Sequence, residues 1–209
     1  MSKIYINHET IGSDGETLLY ENVQNLVKFY IGPSESANDS NSDTTCEMLI
    51  DFICTKALFP LYLIFEPFGG MEEEFERLFK GKNIEYALRF EGLKDKRFPV
   101  FKLTIETPSS LAFVLQETFW IATCNNFYAF SFSDNIVYKP GIYKSWFGRE
   151  KTWIWPHFNM NGASTVIEIW NDGDGFNLYT TEPRFSTIEK LASYFPPKTS
   201  VVNNEDGML

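Results

Sequence analysis

The sequence predicts an α+β fold, a single domain with a mainly antiparallel twisted sheet and about five helices packed against it. Three observations carry this prediction. Apolar residues change along the chain between a spacing of three to four and strict alternation, the periods of an amphipathic helix and a half-buried strand. The alternating stretches come in pairs joined by turn residues, and no regular strand–helix–strand rhythm or internal repeat accompanies them. A length of 209 residues with 44% apolar side chains suits one core, so residues 1–198 are expected to form one domain.

Residues 3–7 alternate as a short strand. Leu19, Val23, Leu26, Val27 and Tyr30 recur at helical spacing and predict a first helix, with Gly32-Pro33 as its stop. Residues 34–45 are rich in Ser, Asn and Asp with hardly any apolar side chain, so too little surface can be buried to offset ordering and a flexible loop is expected. A second helix is predicted from near Thr44, turning Met48, Leu49, Phe52, Ile53 and Ala57 inward and ending on the approach to Pro60. Residues 61–66 form an apolar strand closed by Pro67 and Gly69-Gly70. In 71–80, Phe75, Leu78 and Phe79 share one helical face while Glu72, Glu73 and Glu74 load the first turn, where carboxylates favour the helix dipole; Gly81 is expected to cap it.

Strands follow at 84–90 and 99–106, separated by the basic loop Lys94-Asp95-Lys96-Arg97, read as a solvated turn. Thr107-Pro108 supplies a cap and a first helical residue for a helix through about Thr118 with Leu111, Val114 and Leu115 inward; residues 119–124 fit either its continuation or a strand. Residues 127–132 are aromatic on both alternating sets, as a strand buried on both faces requires. Asn135 and Pro140-Gly141 are expected to mark turns. From 141 to 158 no period is visible, and large rings crowd among Lys144, Arg149, Lys151 and His157. A last hairpin is predicted from 165–171 and 176–181 about the turn Asp172-Gly173-Asp174-Gly175, then a helix opened by Ser186 and Glu189 and ended by Pro196-Pro197. Residues 199–209 are expected to fray.

Net charge is −10, concentrated as −11 in residues 1–76 against +5 in residues 77–102. Such a surface repels phosphate backbones and speeds encounter with a basic partner, so neither nucleic acid nor a membrane is expected as a partner. No stretch approaches the roughly 20 apolar residues that cross a bilayer, and the start lacks a basic segment followed by an apolar run, so the expected address is the cytoplasm. Cys46, Cys54 and Cys124 are an odd set without CxxC spacing and read as reduced, mostly buried thiols.

Reactive constellations fail one by one. Counting Asp172 as the first position of a calcium loop puts Asn177 where glycine is needed and Pro183 where glutamate is needed. His8 and His157 have no second ligand at metal spacing, no glycine-rich phosphate loop occurs, and Cys124 with His157 lacks an activating context. Glu66, Glu106 and Glu168 could meet across a sheet as paired carboxylates, but nothing selects them. No cofactor, metal or catalytic residue is therefore expected.

Thirteen of the forty residues from Phe119 to Phe158 are aromatic, including four of the five tryptophans. Rings at 127–132 belong in a sheet. Trp146, Trp153 and Trp155 lie in a turn-rich stretch where each indole N–H also needs an acceptor, so they are candidates for an interaction surface. The expected partner-binding residues are thus Glu72, Glu73, Glu74, Trp146, Trp153 and Trp155. An acidic, compact α+β chain of this kind resembles in general character, without a motif matched residue by residue, the immunity proteins of bacterial toxin systems. That resemblance implies a non-enzymatic inhibitor that neutralises a basic toxin, often a nuclease, in the bacterial cytoplasm. The alternative is a small-molecule binder or enzyme whose aromatic-lined pocket recognises a sugar or nucleotide by stacking on Trp146, Trp153 or Trp155.

Overall fold

The structure is a computed structural model that describes residues 3–11, 23–34, 41–94, 96–144 and 148–202. Its elements in chain order are β1 (Lys3–Glu9), β2 (Val27–Pro33), α1 (Asn41–Thr55), β3 (Leu61–Phe65), α2 (Glu72–Gly81), β4 (Glu85–Leu93), β5 (Lys96–Ile105), α3 (Pro108–Thr123), β6 (Tyr128–Ser131), β7 (Ile136–Lys144), β8 (Glu150–Phe158), β9 (Thr165–Ile169), β10 (Phe176–Thr180), α4 (Ile188–Ala192) and β11 (Ser200–Val202). Nine strands form one sheet in the order β11-β1-β2-β10-β9-β6-β3-β5-β4, and β7 with β8 forms a separate two-stranded ribbon. Every pairing is antiparallel except that of β1 with β11.

Because side chains alternate across a strand, each central strand serves two layers. One set, including Ile6, Phe29, Leu178, Ile167, Phe130, Leu63 and Phe101, meets the helices, which contribute Leu49 and Phe52 from α1, Phe75 and Phe79 from α2, Leu111 and Leu115 from α3, and Leu191 from α4. The other set, Ile64, Val100, Ala129, Val166 and Tyr179, packs under Ile136 and Phe158 of the ribbon and the adjoining Met160. β6 is consequently buried along its whole length, as its two aromatic faces predict. The ribbon is pinned at its base by Asn135, whose Nδ2 donates to the Asn159 carbonyl at 3.1 Å and to Ser164 Oγ at 2.6 Å, while its Oδ1 accepts from Ser131 Oγ.

Several expectations are corrected. Four α-helices stand among the described residues rather than about five, because the stretch read as a first helix from Leu19 to Tyr30 ends in β2. Val27, Phe29 and Ile31 alternate there as in a strand, and the β-branched and aromatic residues of VKFYI favour a pleated surface. Gly32 and Pro33 belong to that strand, and Leu19 lies outside the described residues. Of the loop expected at 34–45, residues 41–45 begin α1 and 35–40 lie outside the described residues. Ala57 sits past α1 with φ 48° and is exposed rather than inward. α2 includes Gly81, and Asn83 with φ 54° makes the left-handed turn expected two residues earlier, at Gly81. α3 runs on through 119–123. Pro140-Gly141 lies inside β7, opposite Ile154 and Trp153, where a two-stranded ribbon leaves an outer edge that tolerates proline. The expected frayed tail begins with β11, and residues 203–209 lie outside the described ones.

Candidate functional site

The acidic triplet and two of the aromatic rings that the sequence singles out, Trp153 and Trp155, fall on opposite sides of the sheet. Gly69 and Gly70 turn the chain out of β3, Gly70 at φ 92°, and α2 starts at Glu72. Phe75 and Phe79, one turn apart, stack at 5.8 Å and wedge against Phe65 and Phe101. That inward stripe fixes the outward one: Glu73 and Glu74 are exposed and Glu72 is half-buried. Among the described residues none of these three carboxylates is in an ion pair, whereas Glu76 holds Lys80 at 3.8 Å and accepts a hydrogen bond from Tyr86 Oη at 2.9 Å.

α3 is set by its cap. Thr107 Oγ1 accepts from the Ser110 amide at 3.1 Å and Ser110 Oγ accepts from the Thr107 amide at 3.1 Å, a reciprocal box ahead of Pro108. With Leu111, Val114, Leu115, Thr118 and Phe119 turned inward, Gln116 and Trp120 must face out. Trp120 Nε1 donates to the Glu117 carbonyl at 3.1 Å, so the indole is held along its own helix. Phe68, in the connection from β3 to α2, lies parallel to it with ring centroids 5.9 Å apart. Phe68 is 42% and Trp120 39% exposed, a stacked pair of large rings left in water. Beside them runs a groove of about 740 Å³ between α2 and α3, lined by Met71, Glu74, Phe75, Arg77 and Leu78 on one bank and Gln116, Glu117 and Trp120 on the other. Glu117 too is outside any ion pair among the described residues. The single cation, Arg77, donates through Nε to the Glu73 carbonyl at 3.2 Å.

Of the expected tryptophans, Trp146 lies outside the described residues. Trp153 and Trp155 are half-buried on β8, in the ribbon that covers the other face of the sheet. Trp153 stacks on Phe98 of β5 at 6.1 Å with planes 7° apart. Phe68 and Trp120 were passed over by sequence reasoning, although extending the helix of α3 past Thr118 puts position 120 opposite Leu111, at the centre of the inward stripe; the ambiguity of 119–124 hid it.

The carboxylates weighed as a catalytic pair are apart. Glu66 follows Phe65, which pairs with Phe101, while Glu106 follows Ile105, which pairs with Leu61; they stand at opposite ends of β3 and β5, about 20 Å apart at the rise of a strand. Glu168 accepts from Tyr179 Oη at 3.1 Å. Glu66 accepts from Tyr138 Oη at 2.8 Å, and burial pushes its carboxyl up to about 7 against the opposing pull of that hydrogen bond. Burial, then the Glu66 charge, drives the Tyr138 phenol up as well. Phe98 and Phe127 flank the Tyr138 ring, so the pair ties ribbon to sheet rather than facing a substrate cavity.

Cys124 is exposed at the end of α3 and His157 is 5% exposed in β8, on different sides of the sheet. Cys46 and Cys54 are half-buried free thiols rather than fully buried ones, and burial, then Asp43 and Glu47, pushes Cys46 up to about 12. The NDGDG stretch is the turn between β9 and β10; Asn125 Nδ2 donates to Asp172 Oδ1 at 2.9 Å and its Oδ1 accepts from the Asp172 amide at 2.8 Å. Among the described residues no group of three or more His, Cys, Asp or Glu is placed to hold a metal ion, and no helix is long and apolar enough to cross a membrane. No protein-family model, curated protein or solved structure matches the chain.

Proposed function

We propose that this chain is a non-enzymatic, acidic protein-binding protein of the immunity type, which seats a basic toxin on the α2–α3 groove in the bacterial cytoplasm. The observation that carries the reading is the exposed, parallel Phe68–Trp120 pair beside carboxylates that are outside any ion pair among the described residues. Large rings fixed in advance lose little freedom on binding and are the residue types that dominate interface energies. Glu73, Glu74 and Glu117 around them supply the field that draws in a basic partner and rejects acidic ones. Trp153 and Trp155 leave this site because they lie across the sheet from it.

The test uses a panel of purified basic nuclease toxins, inactivated at their catalytic residues, with binding followed by calorimetry and stopped flow. Trp120→Ala is expected to weaken the complex by about 2 kcal/mol, mainly through faster dissociation. Glu73→Gln with Glu74→Gln is expected to slow association and flatten its dependence on salt. A complex indifferent to both variants and to salt overturns the assignment of this surface.

A further inference from the structure

On the ribbon side of the sheet, away from the α2–α3 groove, the tip of the β4–β5 hairpin and strand β8 enclose a second cleft, of about 320 Å³. Its wall is aromatic, the stacked Phe98 and Trp153, and its rim is cationic, Lys96 and Lys151. Neither lysine is in an ion pair among the described residues, nor are the exposed Lys94 and Arg97 of the same hairpin tip. In a chain of net charge −10, two lysines on the rim of one cleft, outside any ion pair among the described residues, are not explained by solubility, which the acidic excess already provides.

The backbone is shaped for this cleft as well. Gly92 holds φ 128°, and a Cβ there would collide with the Lys96 carbonyl oxygen across the hairpin, so only glycine lets the two strands close this tightly beside the cleft. Leu93, 40% exposed, adds an apolar lip. A flat apolar wall with two ammonium groups at the mouth matches a ligand having a planar ring at one end and an anion at the other. The volume lies at the small end of the range for ligand sites, about one base with its sugar.

We infer that this cleft binds a nucleoside monophosphate, with the base against the Phe98–Trp153 wall and the phosphate between Lys96 and Lys151. The inference is independent of the protein-binding reading. It is tested by calorimetry and tryptophan fluorescence on the full chain with AMP, GMP, CMP and UMP, beside the corresponding nucleosides and inorganic phosphate. At least one monophosphate is expected to bind and quench, with its nucleoside and phosphate alone each weaker by about tenfold or more. Lys96→Gln with Lys151→Gln is expected to reduce that monophosphate to the level of its nucleoside, and Trp153→Leu to weaken both, with thermal unfolding of each variant confirming the fold. Absence of saturation by all four at about 10 mM overturns the inference; so does binding that survives the double lysine variant, or phosphate alone binding as well as the monophosphate.

Discussion

At the scale of single residues, environment rather than residue type decides role. Glu66 and Glu73 are both glutamates in the stretch from the end of β3 into α2, yet Glu73 stands in water, while Glu66 is half-buried beneath the ribbon with Tyr138 as its partner. Alternation placed Glu66 at a strand end but could not show that a ribbon distant in sequence covers it. The consequence is a pH-dependent stability. The folded carboxyl titrates at about 7 against an ordinary value of 4.5, so folding favours its protonated form. That contribution is complete below the unfolded value and is lost as pH rises through the folded one, at most about 3 kcal/mol across the window. Glu66→Gln keeps an oxygen for the Tyr138 hydroxyl and removes the ionisation. Urea unfolding is therefore expected to find the variant close to the parent near pH 4.5 and more stable at pH 8. Parallel stability curves for the two proteins would show that this carboxyl ionises without cost.

At the scale of elements, the sequence was legible where period and punctuation agreed and silent where they conflicted. In α3, Thr107, Pro108 and the stripe Leu111, Val114, Leu115 all state the same boundary and the same inward face, and the structure has both. In β2, the spacing of Leu26, Val27 and Tyr30 imitates a helix, while Val27, Phe29 and Ile31 alternate as a strand; β1 and β10 on either side settle the contest through ladder bonds that no local pattern encodes. The ribbon was illegible for a related reason: Tyr138 of β7 and Trp153 of β8 stand on alternate faces of the ribbon yet both meet Phe98 of β5, while Phe158 packs on Phe127 and Tyr179, so ring burial does not follow a period of two. The candidate groove was half legible, through Glu74 of the acidic triplet, because its other bank comes from a helix that the sequence left open-ended. The cap that orients that bank is open to test. Thr107→Ala removes the acceptor for the Ser110 amide and is expected to lower stability by about 1 kcal/mol. Thr107→Ser should restore most of it, and equal unfolding midpoints for Thr107→Ala and the parent would refute a stabilising cap.

At the scale of the whole molecule, the order of strands joins distant parts of the chain. The segment from β3 to β6 supplies one flank of the sheet, in the order β6-β3-β5-β4, while β1, β2, β9, β10 and β11 from the two chain ends supply the other. Among the described residues only the contact of β6 with β9 joins the two flanks by ladder bonds, from Ala129 with Glu168 to Ser131 with Val166. α1, packed on both β2 and α3, reinforces the join on the helical side, and Phe158, touching Phe127 and Tyr179, reinforces it on the ribbon side. The last strand, β11, closes the outer flank by pairing parallel to β1, Lys3 with Ser200 through Tyr5 with Val202, and Val201 packs on the core. Val201→Pro removes the amide and restricts the backbone where that ladder runs. Since openings are local and cooperative within contiguous units, amides of β1 that face β11 are expected to exchange at least about tenfold faster, or about 1.4 kcal/mol easier to open, while those of β3, β5 and β6 keep their protection. The α2–α3 groove stands on the protected flank, so partner binding through Trp120 should be unchanged in the same variant. Loss of protection throughout the sheet would instead mean that both flanks open as one unit and that the groove depends on the chain ends.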